Sequence, residues 1–163
     1  MLRVQQLREF VNQVKKSIPS IKYTQLVITN DEFVKFLEER KSSDNILFFA
    51  VIPEHGVIGQ EDRSKYENYL QFFFIEKQAE KNLKHDEKLD LYNRVQHTVQ
   101  SFVNLIIEAK SGESHCFDSC NMFEGLIEES IEIKMFWDGV QCRGYEIVFN
   151  LNTYFNECAS RKE

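Results

Sequence analysis

One short segment pairs residue types that could transfer protons. In "PEHG", Glu54 precedes His55, and a carboxylate beside an imidazole could supply an acid and a base to an enzyme. A charged residue next to a histidine is common in loops by chance. The chain also has no Gly-rich phosphate loop, no nucleophile elbow and no pair of histidines at helical spacing. We therefore predict no catalytic residues.

A second segment carries potential metal ligands. "HCFDSC" brings His115, Cys116 and Cys120 within six residues of one another. Structural zinc sites generally use two pairs of ligands, each pair closely spaced, whereas the remaining cysteines, Cys142 and Cys158, are isolated in the sequence. Three residues separate Cys116 from Cys120, in place of the two of a dithiol redox motif. Ordinary thiols are the simpler reading, and we predict no metal and no cofactor.

The charge balance disfavours two classes of partner. The chain has 20 basic and 26 acidic residues, a net charge of −6, and the two signs are mixed along most of its length. Its best basic cluster, "KKSIPSIK", holds three lysines in eight residues, which is too sparse for a phosphate-binding patch. We predict that the protein binds neither nucleic acid nor an anionic membrane.

The apolar segments are short. The N-terminus, "MLRVQQLREFVNQVKK", lacks a continuous apolar signal segment, and the longest apolar run, "ILFFAVI", is far too short to span a bilayer. Four cysteines in 163 residues are too few for a disulfide framework. These features favour a cytoplasmic protein with a single domain spanning residues 1–163.

Hydrophobic periodicity predicts the elements of that domain. Apolar residues at steps of three and four predict a helix over the first eighteen residues, ended by Pro19. Thr29 and Glu32 have capping-box spacing and predict the start of a second helix. A third, long helix is predicted from Asp86 to Lys110, before a cap at Gly112. Strands are predicted at residues 21–28, 46–52, 69–76, 131–137 and 145–151, with irregular stretches at 53–68 and 113–124.

The element order predicts an α+β fold. Strands 46–52 and 69–76 form one predicted hairpin, and the last two strands form another. We expect a mostly antiparallel sheet of these two hairpins, with the long helix and the shorter helices packed on one face.

The strands carry more apolar bulk than a single helical layer covers. The chain has 14 phenylalanines, and "LQFFFI" places Phe72 and Phe74 on one face of a strand and Phe73 on the other. Either a second layer of the same chain or another subunit must cover the second face. We name four interface candidates: Phe72, Phe74, Trp137 and Arg143. Trp137 shares its phase with Ile131, Ile133 and Met135, so the core is an equal alternative for it.

The order of the elements resembles that of tail-terminator and neck proteins of tailed phages. The resemblance covers roughly residues 45–155 and rests on "ILFFAVI" and "YLQFFFIE", the long helix "EKLDLYNRVQHTVQSFVNLIIEA", and the closing pair "IEIKMFW" and "YEIVFNLNT". It implies a small α+β subunit that assembles into rings at the head–tail junction or tail end and has no catalytic residues.

Three functional hypotheses follow. The first is a non-enzymatic structural subunit, of phage or prophage type, that self-associates through the edges and faces of its sheet. The second is an acidic immunity or adaptor protein that binds a basic protein partner. The third, an enzyme using Glu54, His55 or the 113–124 segment, has the least support.

Overall fold

The computed structural model describes residues 1–59, 64–79, 83–112, 122–137 and 141–154. It confirms an α+β fold with a mostly antiparallel sheet and a long helix. The elements, in chain order, are α1 (Val4–Ser17), β1 (Tyr23–Val27), α2 (Asn30–Glu39), β2 (Leu47–Val51), β3 (Glu54–Ile58), β4 (Lys65–Lys77), α3 (His85–Ser111), β5 (Glu132–Trp137) and β6 (Cys142–Tyr154).

The helix boundaries follow the predicted signals. Helix α1 ends at Ser17, two residues before Pro19. At the start of α2, the hydroxyl of Thr29 accepts a hydrogen bond from the N–H of Glu32 at 3.3 Å, as the capping-box spacing predicts. Helix α3 ends at Ser111 and is capped by Gly112, whose φ of 75° is the left-handed conformation that glycine adopts at least cost.

The six strands form one sheet in the order β1-β2-β4-β6-β5, and β3 also pairs with β4. Among the described strands, β1 and β2 are the one parallel pair, because helix α2 returns the chain to the same end of the sheet between them. Strands β4 and β6 are the longest and pair along their whole length, from Lys65 opposite Tyr154 to Lys77 opposite Cys142. They are the centre of the sheet.

Strands β2 and β3 are two parts of one interrupted strand beside β4. Between Ala50 and Glu54 the chain advances four residues, while their partners Phe72 and Tyr69 are only three apart. The extra residue is a bulge in the segment that contains Pro53, which has no N–H for the ladder. The prediction of an irregular stretch over 53–68 is therefore wrong in part. Its polar residues lack the apolar alternation by which strands are recognised.

Helices α1 and α3 cover one face of the sheet. Alternate side chains of β2, β4 and β6 point into this layer, where they pack in a single cluster with the buried stripes of both helices. Its largest fully buried members are Phe10, Phe48, Phe72, Phe74, Phe102, Phe123 and Phe149.

Helix α2 lies on the opposite face, where the predicted arrangement had no helix. Phe33 and Leu37 of α2 pack in a second buried cluster with the alternate residues of β2 and β4, including Phe49 and Phe73. The Phe33 ring lies 4.6 Å from that of Phe73 and 5.2 Å from that of Phe49, centroid to centroid. A second layer of the same chain thus covers this end of the second face, because the β1-α2-β2 crossover places α2 there.

Candidate functional site

Two of the four interface candidates lie in the core. Phe72 and Phe74 have no exposed surface. Their ring centroids lie 5.3 and 5.0 Å from that of Phe102 on α3, and the Phe72 ring is also 5.9 Å from that of Phe10 on α1. Both side chains are sealed beneath this chain's own helices, so the structure removes them from the interface candidates.

The third candidate, Trp137, is exposed together with two neighbours on its strand. The exposed fractions are 49% for Ile133, 64% for Met135 and 70% for Trp137. We call these three residues the β5 surface. In the register with β6 they stand opposite Ile147, Tyr145 and Arg143, on the face of the sheet that α1 and α3 cover elsewhere.

The β5 surface is exposed because helix α3 does not reach over β5. The last ring contact on this side is Tyr92 of α3 against Tyr145 of β6, with ring centroids 5.7 Å apart. Burial, and to a smaller extent the charge interaction with Tyr92, raises the pKa of the Tyr145 hydroxyl. The Tyr92 hydroxyl donates to the carbonyl of Phe136 at 3.4 Å, which ties α3 to the backbone of β5 without covering its side chains.

The fourth candidate, Arg143, lies beside this surface. It stands between Glu76 of β4 and Trp137 of β5 in the register and is half-buried. Its Nε is buried and makes no hydrogen bond within the described part of the chain. Glu76 instead accepts two hydrogen bonds from Arg94 of α3, at 3.1 and 2.7 Å. This ion pair raises the pKa of Arg94 above its ordinary value.

The polar side of β5 carries charges of alternating sign. Glu132 and Lys134 form an exposed ion pair at 2.6 Å, and the hydrogen bond from Lys134 holds its pKa above the ordinary value. The next residue on this side, Phe136, turns inward and packs 5.2 Å from Phe73, centroid to centroid. One strand therefore offers an apolar row on one face and an opposite-charge pair on the other.

Strand β5 is also an edge of the sheet. It is the last strand in the pairing order, and within the described ranges it pairs with β6 alone. An edge strand presents one row of backbone N–H and C=O groups that can pair with a further strand. Exposed apolar side chains on an unpaired edge are the usual mark of a binding site for another chain.

The segment with the potential acid and base, Glu54 and His55, lies within the described residues and has a structural role. Glu54 and His55 lie in β3, opposite Tyr69 and Asn68, so their side chains leave the strand on opposite faces. A shallow groove of about 290 Å³ lies here, lined by Glu54, His55, Gly56, Glu67, Tyr69 and Asn150.

The imidazole of His55 is held by a buried amide. Asn68 Oδ1 accepts from the N–H of Leu2 and lies 2.9 Å from His55 Nδ1, so this ring nitrogen is the donor. Asn68 Nδ2 donates to the carbonyl of Leu151 at 2.6 Å and to the hydroxyl of Thr153 at 3.2 Å. Asn68 thus ties the N-terminus, β3 and β6 together, and sequence periodicity gives no sign of it.

The potential zinc ligands His115, Cys116 and Cys120 lie outside the described residues. Elsewhere, in the part of the chain that the structure describes, no three His, Cys, Asp or Glu side chains gather as a metal site would require. No helix in the described ranges is long and apolar enough to cross a membrane.

In comparisons with known proteins, neither a protein-family model nor a curated sequence matches this chain.

Proposed function

We propose that the protein is a non-enzymatic assembly subunit that binds other copies of itself through β5. The observation that carries this proposal is the β5 surface, three large apolar side chains exposed on an edge strand. In the same sheet, the large apolar side chains of the central strand β4 are almost all covered by the chain's own helices. An edge strand with an exposed apolar row can pair with a strand of another chain, and proteins either prevent such pairing or use it for assembly.

In the described part of the chain, this edge lacks most of the features that prevent strand pairing. Edge strands that avoid association are short, carry charged side chains, prolines or bulges, or are covered by another segment. Strand β5 has no proline, and its only charged residues, Glu132 and Lys134, neutralise each other in an ion pair. Its pairing with β6 runs without a bulge from Glu132 to Trp137. The strand has no bulge, no net charge and an apolar row on one face, as a strand used for association would have.

The resemblance to tail-terminator and neck proteins of tailed phages supports a finer proposal, that the assembly is a ring of prophage type. Its basis is the element order, to which the confirmed α+β fold adds agreement. Closed rings form from head-to-tail contacts between identical subunits, and dimers from twofold contacts. The mass of the native assembly therefore discriminates between the ring and a simple dimer.

The test is the native mass of the protein at several concentrations, by native mass spectrometry and light scattering. The wild type is expected to be larger than a monomer. Changing both Met135 and Trp137 to serine is expected to give a monomer, since it removes the apolar contact. The matched control is Ile28→Ser, because Ile28 is 69% exposed but lies outside β5. A wild type that stays monomeric at every concentration would contradict the proposal.

A second candidate function has one observation in its favour. On the face that α2 partly covers, the end of the sheet beyond α2 carries the carboxylates of Glu54, Glu67, Glu132 and Glu146, which outnumber the lysines Lys65 and Lys134 there. An acidic immunity or adaptor protein would use such a face to bind a basic protein.

Salt separates this alternative from self-association. Binding of a basic protein to the acidic face should weaken at high salt and after Glu54 and Glu67 are changed to glutamine. Association through apolar groups of β5 should survive both changes. Capture of a basic partner that is insensitive to both would exclude the charge mechanism.

A further inference from the structure

The open edge of β5 is complementary to itself. We propose that β5 pairs in antiparallel orientation with β5 of a second copy of this chain, about a twofold axis at Ile133, joining two six-stranded sheets into one. This inference rests on the proposed self-association, takes the twofold dimer in place of the ring, and adds the register and symmetry of the contact.

The backbone of β6 shows which groups of β5 are already used. The N–H of Asn150 donates to Ser130 Oγ at 2.8 Å, and its carbonyl accepts from the N–H of Ile127 at 3.1 Å. Asn150 therefore directs both backbone groups toward the β5 side of β6. Since backbone direction alternates along a strand, Val148 and Glu146 direct theirs to the same side.

The β5 partners of those two residues are Glu132 and Lys134, which consequently bond to β6. By the same alternation, Ile133 and Met135 direct their N–H and C=O groups to the open edge. Just before the strand, the N–H of Ile131 already donates to the carbonyl of Glu128 at 3.0 Å, so only its carbonyl is left for this edge. A second strand centred on Ile133 would therefore exchange two hydrogen bonds at the axis, and the N–H of Met135 in each copy would meet the carbonyl of Ile131 in the other.

The side chains select the register. With the axis at Ile133, Glu132 of each copy stands opposite Lys134 of the other, so two opposite-charge pairs form across the junction. On the other face, Ile133 meets Ile133, and Met135 meets Ile131. Trp137 lies diagonally across from Ile131, within reach of a large aromatic ring. The apolar rows of the two copies thus become one continuous row.

Neighbouring registers lose this match. An axis at Lys134 sets two lysines directly opposite, and an axis at Glu132 sets two glutamates opposite; like charges in such positions are destabilising. An axis at Met135 places Lys134 against Phe136 and leaves Glu132 without a cation. The alternation of Glu132 and Lys134 around Ile133 is what makes the edge self-complementary.

Charge reversal tests this register. Glu132→Lys alone or Lys134→Glu alone places like charges opposite each other twice per dimer, and each is expected to weaken self-association about tenfold or more. Mixed together, the two variants face each other with opposite charges and are expected to associate as a heterodimer. The controls Glu38→Lys and Lys35→Glu make the same charge changes on exposed positions of α2 and should leave association unchanged.

The outcomes separate this inference from the proposal on which it rests. If the wild type self-associates but both single variants do so equally well and form no excess of heterodimer, the β5 register is overturned and self-association stands. If the wild type is monomeric, the assembly proposal fails as well.

A cysteine at the axis gives a second, independent readout. Ile133→Cys would face its own copy in a hydrogen-bonded pair, whose Cα spacing of about 5.5 Å is compatible with a disulfide. Mild oxidation is expected to link residue 133 to residue 133, identified by peptide mass mapping, with wild-type protein as the control for the native cysteines. Met135→Cys faces Ile131 instead and should give no 135–135 link. A 135–135 link in place of a 133–133 link would overturn the register.

Discussion

Strands β4 and β5 both pair with β6, and both direct a row of side chains toward the face on which α1 and α3 lie. On β4 five successive members of that row are buried: Asn68, Leu70, Phe72, Phe74 and Glu76. On β5, Ile133, Met135 and Trp137 are 49 to 70% exposed. The same alternation of side chains thus produces a core on one strand and an open surface two strands away.

The difference comes from where the long helix runs. Helix α3 packs across β4 and β6, and its Phe102 contacts the rings of Phe48, Phe72 and Phe74 at centroid distances of 5.7, 5.3 and 5.0 Å. Among the described residues, its hydrogen bond to β5 comes from Tyr92. Alternation determines which residues share a face, whereas the path of the helix determines whether that face is covered.

The largest expected effect is on the covered row. Phe72→Ala should lower the free energy of unfolding by about 3–5 kcal/mol, because it leaves a cavity between β4, α1 and α3. Urea denaturation of the monomer measures this. Met135→Ala, which truncates the equivalent row on β5, is the matched control and should change it by less than about 0.5 kcal/mol. Equal losses in the two variants would show that β5 is covered in solution.

The polar end of the same β4 row is expected to be nearly as sensitive. Asn68→Ala removes the acceptor of Leu2 and His55 and the donor to Leu151, all within a buried site. Leaving such groups unpaired should cost about 2–4 kcal/mol in the free energy of unfolding. Asn68→Asp keeps an acceptor oxygen but loses the donor. If the alanine variant is as stable as the wild type, the hydrogen bonds of Asn68 do not stabilise the fold.

The opposite end of the row should show a smaller effect. Arg94→Ala leaves the carboxylate of Glu76, a residue only 7% exposed, without its bidentate partner. Because the Arg94 side chain is 57% exposed, solvent weakens the pair, and we expect a loss of about 1–2 kcal/mol in the free energy of unfolding. Arg94→Lys keeps the charge without the bidentate geometry, and it should recover only part of the lost free energy of unfolding. Full recovery would mean that charge alone matters.

Sequence patterns predicted the helices and strands better than they predicted which faces of those elements are covered. The period of α3, its cap at Gly112 and the two faces of β4 are local properties, and each is confirmed. Strand β3 was missed because "EHGVI" has no apolar alternation and pairs only by extending the ladder of β2. Whether Phe72 or Trp137 faces solvent depends on the long-range path of α3, which periodicity does not encode.

The smallest expected effect on folding is at Trp137. Trp137→Ser removes the most exposed member of the β5 surface, so the free energy of unfolding of the monomer should change by less than about 0.5 kcal/mol. Its effect on self-association should be far larger, since a tryptophan at a desolvated contact is among the strongest contributors to binding. The two measurements, made on one variant, separate the roles of the two rows. A Trp137→Ser variant that unfolds easily but still self-associates would reverse the assignment and make β5 part of the core.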